Sequence, residues 1–171
     1  MKSKRNKILI LILILITAAA VGVTVWAVWF RGNDDVPPDD YAPRQVDKNA
    51  LPIDDEEPTD KLSQAEGGGA VSLTYMKDVT LNLGTKEASI LFQNPFKSNQ
   101  DMALQLVIDN KIIAGSDKLP PGYKLSVMTN VDVDKLSAGT YEGKFVVLYY
   151  NAGTGEKAIV NTEIPVTITV D

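Results

Sequence analysis

The chain has 171 residues, a formal net charge of −5, no His and no Cys. That length allows one domain of ordinary size and something more. Lacking Cys, it has no disulfide, thiolate nucleophile or thiolate metal site; lacking His, it has no commonest general base or zinc ligand; and an acidic balance offers no basic patch for nucleic acid.

Residues 1–7, "MKSKRNK", form a basic stub with no acid, and residues 8–30 follow as 23 positions without a charge. At about 1.5 Å per helical residue that run reaches roughly 35 Å, enough to cross a hydrocarbon core of about 30 Å. Trp26 and Trp29 stand at its far end, where indoles favour the headgroup layer. The expectation is a transmembrane signal-anchor helix over 8–30. Its positive flank places the N-terminus in the cytoplasm and the C-terminal domain outside the cell. A competing reading is a cleaved signal peptide ending after Ala20, with the Ala18-Ala19-Ala20 run supplying the small residues. Such a cut would leave an exposed apolar mature end.

Residues 31–69 hold four basic and eleven acidic side chains and five of the nine Pro, and they end in "GGG". So few apolar groups do not offset chain entropy, so the composition predicts an acidic, disordered Pro/Gly-rich linker that acts as a stalk.

From residue 70 the pattern has a period of two. In "DVTLNL" Val79, Leu81 and Leu83 share a face, Ile90 and Phe92 share another, and "MALQLVI" aligns Met102, Leu104, Leu106 and Ile108. Asp109-Asn110 between "LVI" and "KII" is a two-residue hairpin signal, since both side chains tolerate positive φ. "LPPGYKLSVMT" turns and then aligns Tyr123, Leu125 and Val127. "FVVLYY" is apolar on both faces and so predicts a central strand. "NAGTGEK" reads as a hairpin loop leading into a last strand with Ile164, Val166, Ile168 and Val170 on one face. Seven to nine short strands and no amphipathic helix predict an all-β, two-sheet antiparallel sandwich over 70–171.

The stretch "LSAGTYEG", residues 136–143, resembles the corner between strands E and F of Ig-like and fibronectin-like sandwiches. In that corner Leu136 plugs the end, Gly139 allows the turn, and the Tyr141 hydroxyl returns to an upstream backbone group. With "QNPF", "LPPGYKLSV" and "IPVTITV", it makes the domain similar to small Ig-like ectodomains of Gram-positive bacterial surface proteins. No Trp or Cys pair lies in 70–171, so the antibody type is not implied. The resemblance implies a fold and leaves function open, since such sandwiches serve as spacers, adhesins, sugar binders and assembly subunits.

The residues that remain carry little chemistry. Ser and Thr have no recognisable base motif, and about a hundred residues of sandwich leave small volume for a cleft, which argues against an enzyme. Asp132 and Asp134, with Asp101 and Asp117 elsewhere, form no calcium-loop pattern and fit a polar outer face. No cofactor is implied. Phe96, Tyr123 and Tyr150 are the candidate ligand-contact aromatics for a sugar, with core packing as the alternative for each. The sequence therefore predicts a non-enzymatic, membrane-anchored surface protein displaying an Ig-like domain for protein interaction or structural assembly at the cell envelope. The alternative is a carbohydrate- or peptidoglycan-binding module. The expected partners are the lipid bilayer through residues 8–30 and an envelope protein or cell-wall glycan.

Overall fold

A computed structural model describes residues 40–54, 59–64, 66 and 68–171, together with Thr17. The basic stub, the expected anchor and residues 31–39 lie outside the described residues, Thr17 apart. Among the described residues no helix is long and apolar enough to cross a membrane. All the strands belong to one unit, Pro37–Asp171.

Strict alternation makes most of the strands. Val79 and Leu81 point inward from β3 (Asp78–Asn82), and Ala88, Ile90, Phe92 and Asn94 from β4 (Glu87–Asn94). On β9 (Lys157–Val170), Ile164, Val166, Ile168 and Val170 are buried while Pro165 and Thr169 stay exposed. β5 (Gln100–Ile108) and β8 (Gly139–Asn151) are covered more fully. β8 runs between β5 and β9, which is why its "FVVLYY" run tolerates so few polar positions. Asp109 and Asn110, at φ 49° and 62°, turn β5 into β6 (Lys111–Gly115), the mirror-image geometry that suits the twist of a hairpin.

β7 (Tyr123–Thr129) departs from simple alternation. Its inward residues are Leu125 and Met128, not Leu125 and Val127. The cause is a register shift against β4: Leu125 faces Phe92 and Met128 faces Ala88, so an irregularity between them changes the strand's phase.

The hydrogen-bonded order is β1-β7-β4-β3-β9-β8-β5-β6, where β1 is Ala50–Pro52 and the short β2 (Thr74–Tyr75) pairs with β4. The sheet curls so that one half faces the other. Phe92 on β4 and Phe145 on β8, which are not sheet neighbours, meet edge-to-face with ring centroids 6.3 Å apart. Patterning predicts antiparallel pairing throughout, but the sheet is mixed: β3 runs parallel to β9, with Val79 opposite Ile168. Alternation buries the same residues in either direction, so it is blind to this choice.

Part of the expected disordered linker is ordered. Residues 40–54 lie along the domain, with β1 paired to β7, Val46 bridged to Lys118 and Tyr41 bridged to Glu156. Apolar burial does little of this work, since Tyr41, Val46 and Leu51 remain substantially exposed. Backbone bonds, Asp47 and an ion pair of Asp54 with Lys124 (2.8 Å) do it instead. The Asp47 carboxylate accepts the N–H of Asn49 (2.8 Å) and that of Asp117 (2.9 Å). The folded body thus includes chain that composition assigns to the stalk.

Candidate functional site

Strand order gives the domain two ends. One, the corner end, gathers residues 83–86, the Asp109-Asn110 turn, residues 130–139 and Asp171. The other, the arm end, gathers the 95–99 loop, Pro120–Gly122, the 151–156 hairpin and the docked arm beginning at Asp40.

At the corner end, the Tyr141 hydroxyl donates to the Ser137 carbonyl (3.0 Å) and accepts from the Ser137 N–H (3.1 Å). Leu136 packs half-buried against the core, and Gly139 opens β8 with φ +154°. Tyr141→Phe removes both bonds and is expected to lower stability by about 1 kcal/mol, read as a reduced urea midpoint. At Gly139 a Cβ would meet nothing within 4 Å, so space is not the constraint. The positive φ is. Gly139→Val is therefore expected to cost roughly 1–3 kcal/mol from backbone strain alone, and Gly139→Ala much of that. Thermal melts of the two variants check this.

Of the acidic candidates at this end, the Asp132 carboxylate is engaged. Lys111 pairs with Asp132, whose other oxygen accepts the N–H of Asp134. The Lys111 ammonium holds the Asp132 carboxyl below the usual carboxylate range. Asp132 also donates its own N–H to the Ile113 carbonyl of β6 (2.7 Å). Among the described residues no three carboxylates converge as metal ligands would.

At the arm end, the loop after β4 is the organising element. Ser98 is fully buried; its Oγ donates to the Ser72 carbonyl (3.1 Å) and accepts the Ser72 N–H (2.9 Å). Asn99 takes the N–H of Ala70 and donates to the Leu62 carbonyl. Lys61 donates to the carbonyls of Phe96 and Ser98 while its ammonium lies 5.4 Å from the Phe96 ring centroid. One five-residue loop thereby holds the chain on both sides of the GGG run. The string "NPFKSNQ" carries the signal for this, since Asn and Ser beside Pro are side chains that bond backbone, but their partners are distant in sequence.

The three aromatics do not form one platform. Phe96 is half-buried and lies over Gly122, where a Cβ would fall 2.7 Å from the ring; φ +85° also favours Gly there. Tyr123, next to Gly122, packs half-buried against the core. Tyr150 is 4% exposed, on the other half of the sheet, opposite Asp101 and Lys157. Tyr149 is buried too and donates to Thr162 Oγ1 (2.7 Å), and burial raises its phenol above the usual range. Burial likewise holds the Asp101 carboxyl above its ordinary value, against the pull of the Lys118 ammonium 3.9 Å away and of Lys61.

Apolar surface is distributed unevenly. Among the described residues eight large hydrophobic side chains are exposed: Tyr41, Val46, Leu51, Tyr75, Met76, Ile112, Ile159 and Val160. All but Ile112 belong to the arm-end half, as their strand partners show: Leu51 opposite Lys124, Tyr75 opposite Phe92, and Val46 opposite Lys118.

No family model matches this chain, and no curated protein matches it. Among solved structures it is similar to AggA, the major subunit of aggregative adherence fimbriae type I from Escherichia coli, at 12% identity and a TM-score of 0.34, over 66% of this chain and 100% of that one.

Proposed function

We propose that this is a non-enzymatic, single-pass membrane protein that displays an Ig-like domain on the cell surface, of the kind carried by Gram-positive bacteria, for protein interaction or structural assembly. The observation that carries the reading is the docking of the N-terminal arm at one end of the domain. The Lys157 N–H bonds the Asp40 carbonyl (2.8 Å), and the Ala42 N–H bonds the Gly155 carbonyl (2.7 Å). Only residues 31–39 then separate an anchor at 8–30 from the folded body. At about 3.5 Å per extended residue they let the attachment point at Asp40 lie no more than roughly 30 Å from the end of that run. The tether therefore joins the domain at its arm end, and the turns of the corner end lie a β8 length from that attachment. The glycan-binding alternative draws less support, because Phe96, Tyr123 and Tyr150 are each occupied in packing.

The chain has no Cys, so single thiols report topology without background. Asn110→Cys in the full chain is expected to react with a membrane-impermeant maleimide on intact cells, with the protein in the membrane fraction. Reaction only after lysis, or recovery in the soluble fraction, overturns the reading.

A further inference from the structure

We infer that the arm end of the domain rests on the lipid bilayer through Ile159, Val160 and Tyr41, an orientation that builds on the anchored reading above. The local geometry is unusual for a strand. Leu148 pairs with Asn161 and Tyr150 with Lys157, so the single residue Tyr149 faces the three residues 158–160. Alternation would turn one of Ile159 and Val160 inward, but this irregularity leaves both outward: Ile159 is fully exposed and Val160 is 68% exposed. Two consecutive branched apolar residues are thus held in water on an ordered strand beside the hairpin. Tyr41, 49% exposed, is bridged to Glu156 in that hairpin.

The position of this patch identifies what covers it. Asp40 bonds Lys157, two residues from Ile159, and the chain preceding Asp40 leads within nine residues to the uncharged run 8–30. With so short a connection, the apolar pair lies where the bilayer surface is within reach. The corner end, with Ile112 as the one exposed large apolar side chain among the described residues of its half, lies a β8 length away. Branched aliphatic side chains enter the headgroup–acyl boundary, and a Tyr with its hydroxyl in water suits the headgroup layer. The bilayer therefore fixes the tilt of the domain, not merely its distance.

The test uses the full chain in nanodiscs of phosphatidylcholine and phosphatidylglycerol, with nitroxide labels on Ile159→Cys, Val160→Cys or Ile112→Cys. These side chains are exposed, and circular dichroism checks that each variant retains its sheet. The ratio of oxygen to nickel-complex collision at 159 or 160 is expected to exceed that at 112 by roughly threefold or more. Equal ratios in protein that remains with the nanodisc overturn the contact and leave the anchor standing. Failure to incorporate into nanodiscs overturns the anchor itself. Spin–spin broadening at 159 with no oxygen preference assigns the patch to a second copy of the chain and overturns the lipid contact.

Discussion

Phe145→Ala is expected to destabilise the domain by about 3–5 kcal/mol, the range for removing a fully buried aromatic ring whose cavity does not refill. Phe145 has no exposed surface, and its ring meets Phe92 edge-to-face at an interplanar angle of 70°. The two rings come from β8 and β4, which share no ladder bonds, so this contact holds the halves of the curled sheet together where hydrogen bonds do not. A domain of this size has only about 5–15 kcal/mol in total, so the loss is a large share of it. Urea unfolding followed by far-UV circular dichroism checks the prediction, because both Trp lie before residue 31, outside the curled sheet. A double-mutant cycle with Phe92→Leu should give a coupling of about 0.5–1.5 kcal/mol, the part that belongs to the aromatic pair rather than to burial. A midpoint that hardly moves in Phe145→Ala would mean that the halves are not joined through this pair.

How much the sequence disclosed depends on the kind of interaction that made each element. Period-two alternation reports burial, so Val79 and Leu81 on β3, Ile90 and Phe92 on β4, and β9 from Ile164 onward were legible, down to Pro165 on the outward face of the last strand. A two-residue turn reports φ, so Asp109-Asn110 was legible as well. The phase change in β7 was not, because Leu125 and Val127 differ from Leu125 and Met128 only through an irregularity paired with β4. Nor was the docked arm. Its hold on the domain is made by peptide groups, which every residue carries, and by the Asp47 and Asp54 carboxylates, which look like any other acids in a run of acids. Composition estimates whether a segment is able to bury apolar surface, and this segment does not need to. The outward pair Ile159-Val160 was hidden for a related reason: "AIV" in a strand-forming run implies one residue in and one out, and only the three-against-one register reveals that both face solvent.

Asn94→Asp, an almost isosteric change, is expected to be among the most damaging substitutions in the domain and to make stability depend on pH. Asn94 is fully buried at the end of β4, and its Nδ2 donates to the carbonyls of Gln100 (3.0 Å) and Leu119 (2.9 Å). Its Oδ1 accepts nothing in the structure, so the amide is placed for its two N–H groups. These join β4 to the start of β5 and to the segment leading into the Pro120–Gly122 turn, and the Asn94 carbonyl itself takes the Gly122 N–H. A carboxylate in the same position would present negative oxygens to two carbonyl oxygens, with no donor and little water. The neutral acid is tolerated better, since its one O–H still serves one of the two carbonyls. The folded-state pKa of the new Asp therefore rises above its unfolded value of about 3.9. Because the folded state then binds the proton more tightly, stability is greatest below that value and falls as pH rises, by about 1.4 kcal/mol per pH unit until the raised pKa is passed. Asn94→Leu loses the same two donors without adding a titratable group, so its loss should be constant with pH. Urea midpoints of both variants measured from acid to neutral pH separate charge from lost hydrogen bonds: a flat profile for Asn94→Asp would show that water reaches the site. A sloping profile would place the carboxylate in the dry junction that ties the first half of the sheet to the second.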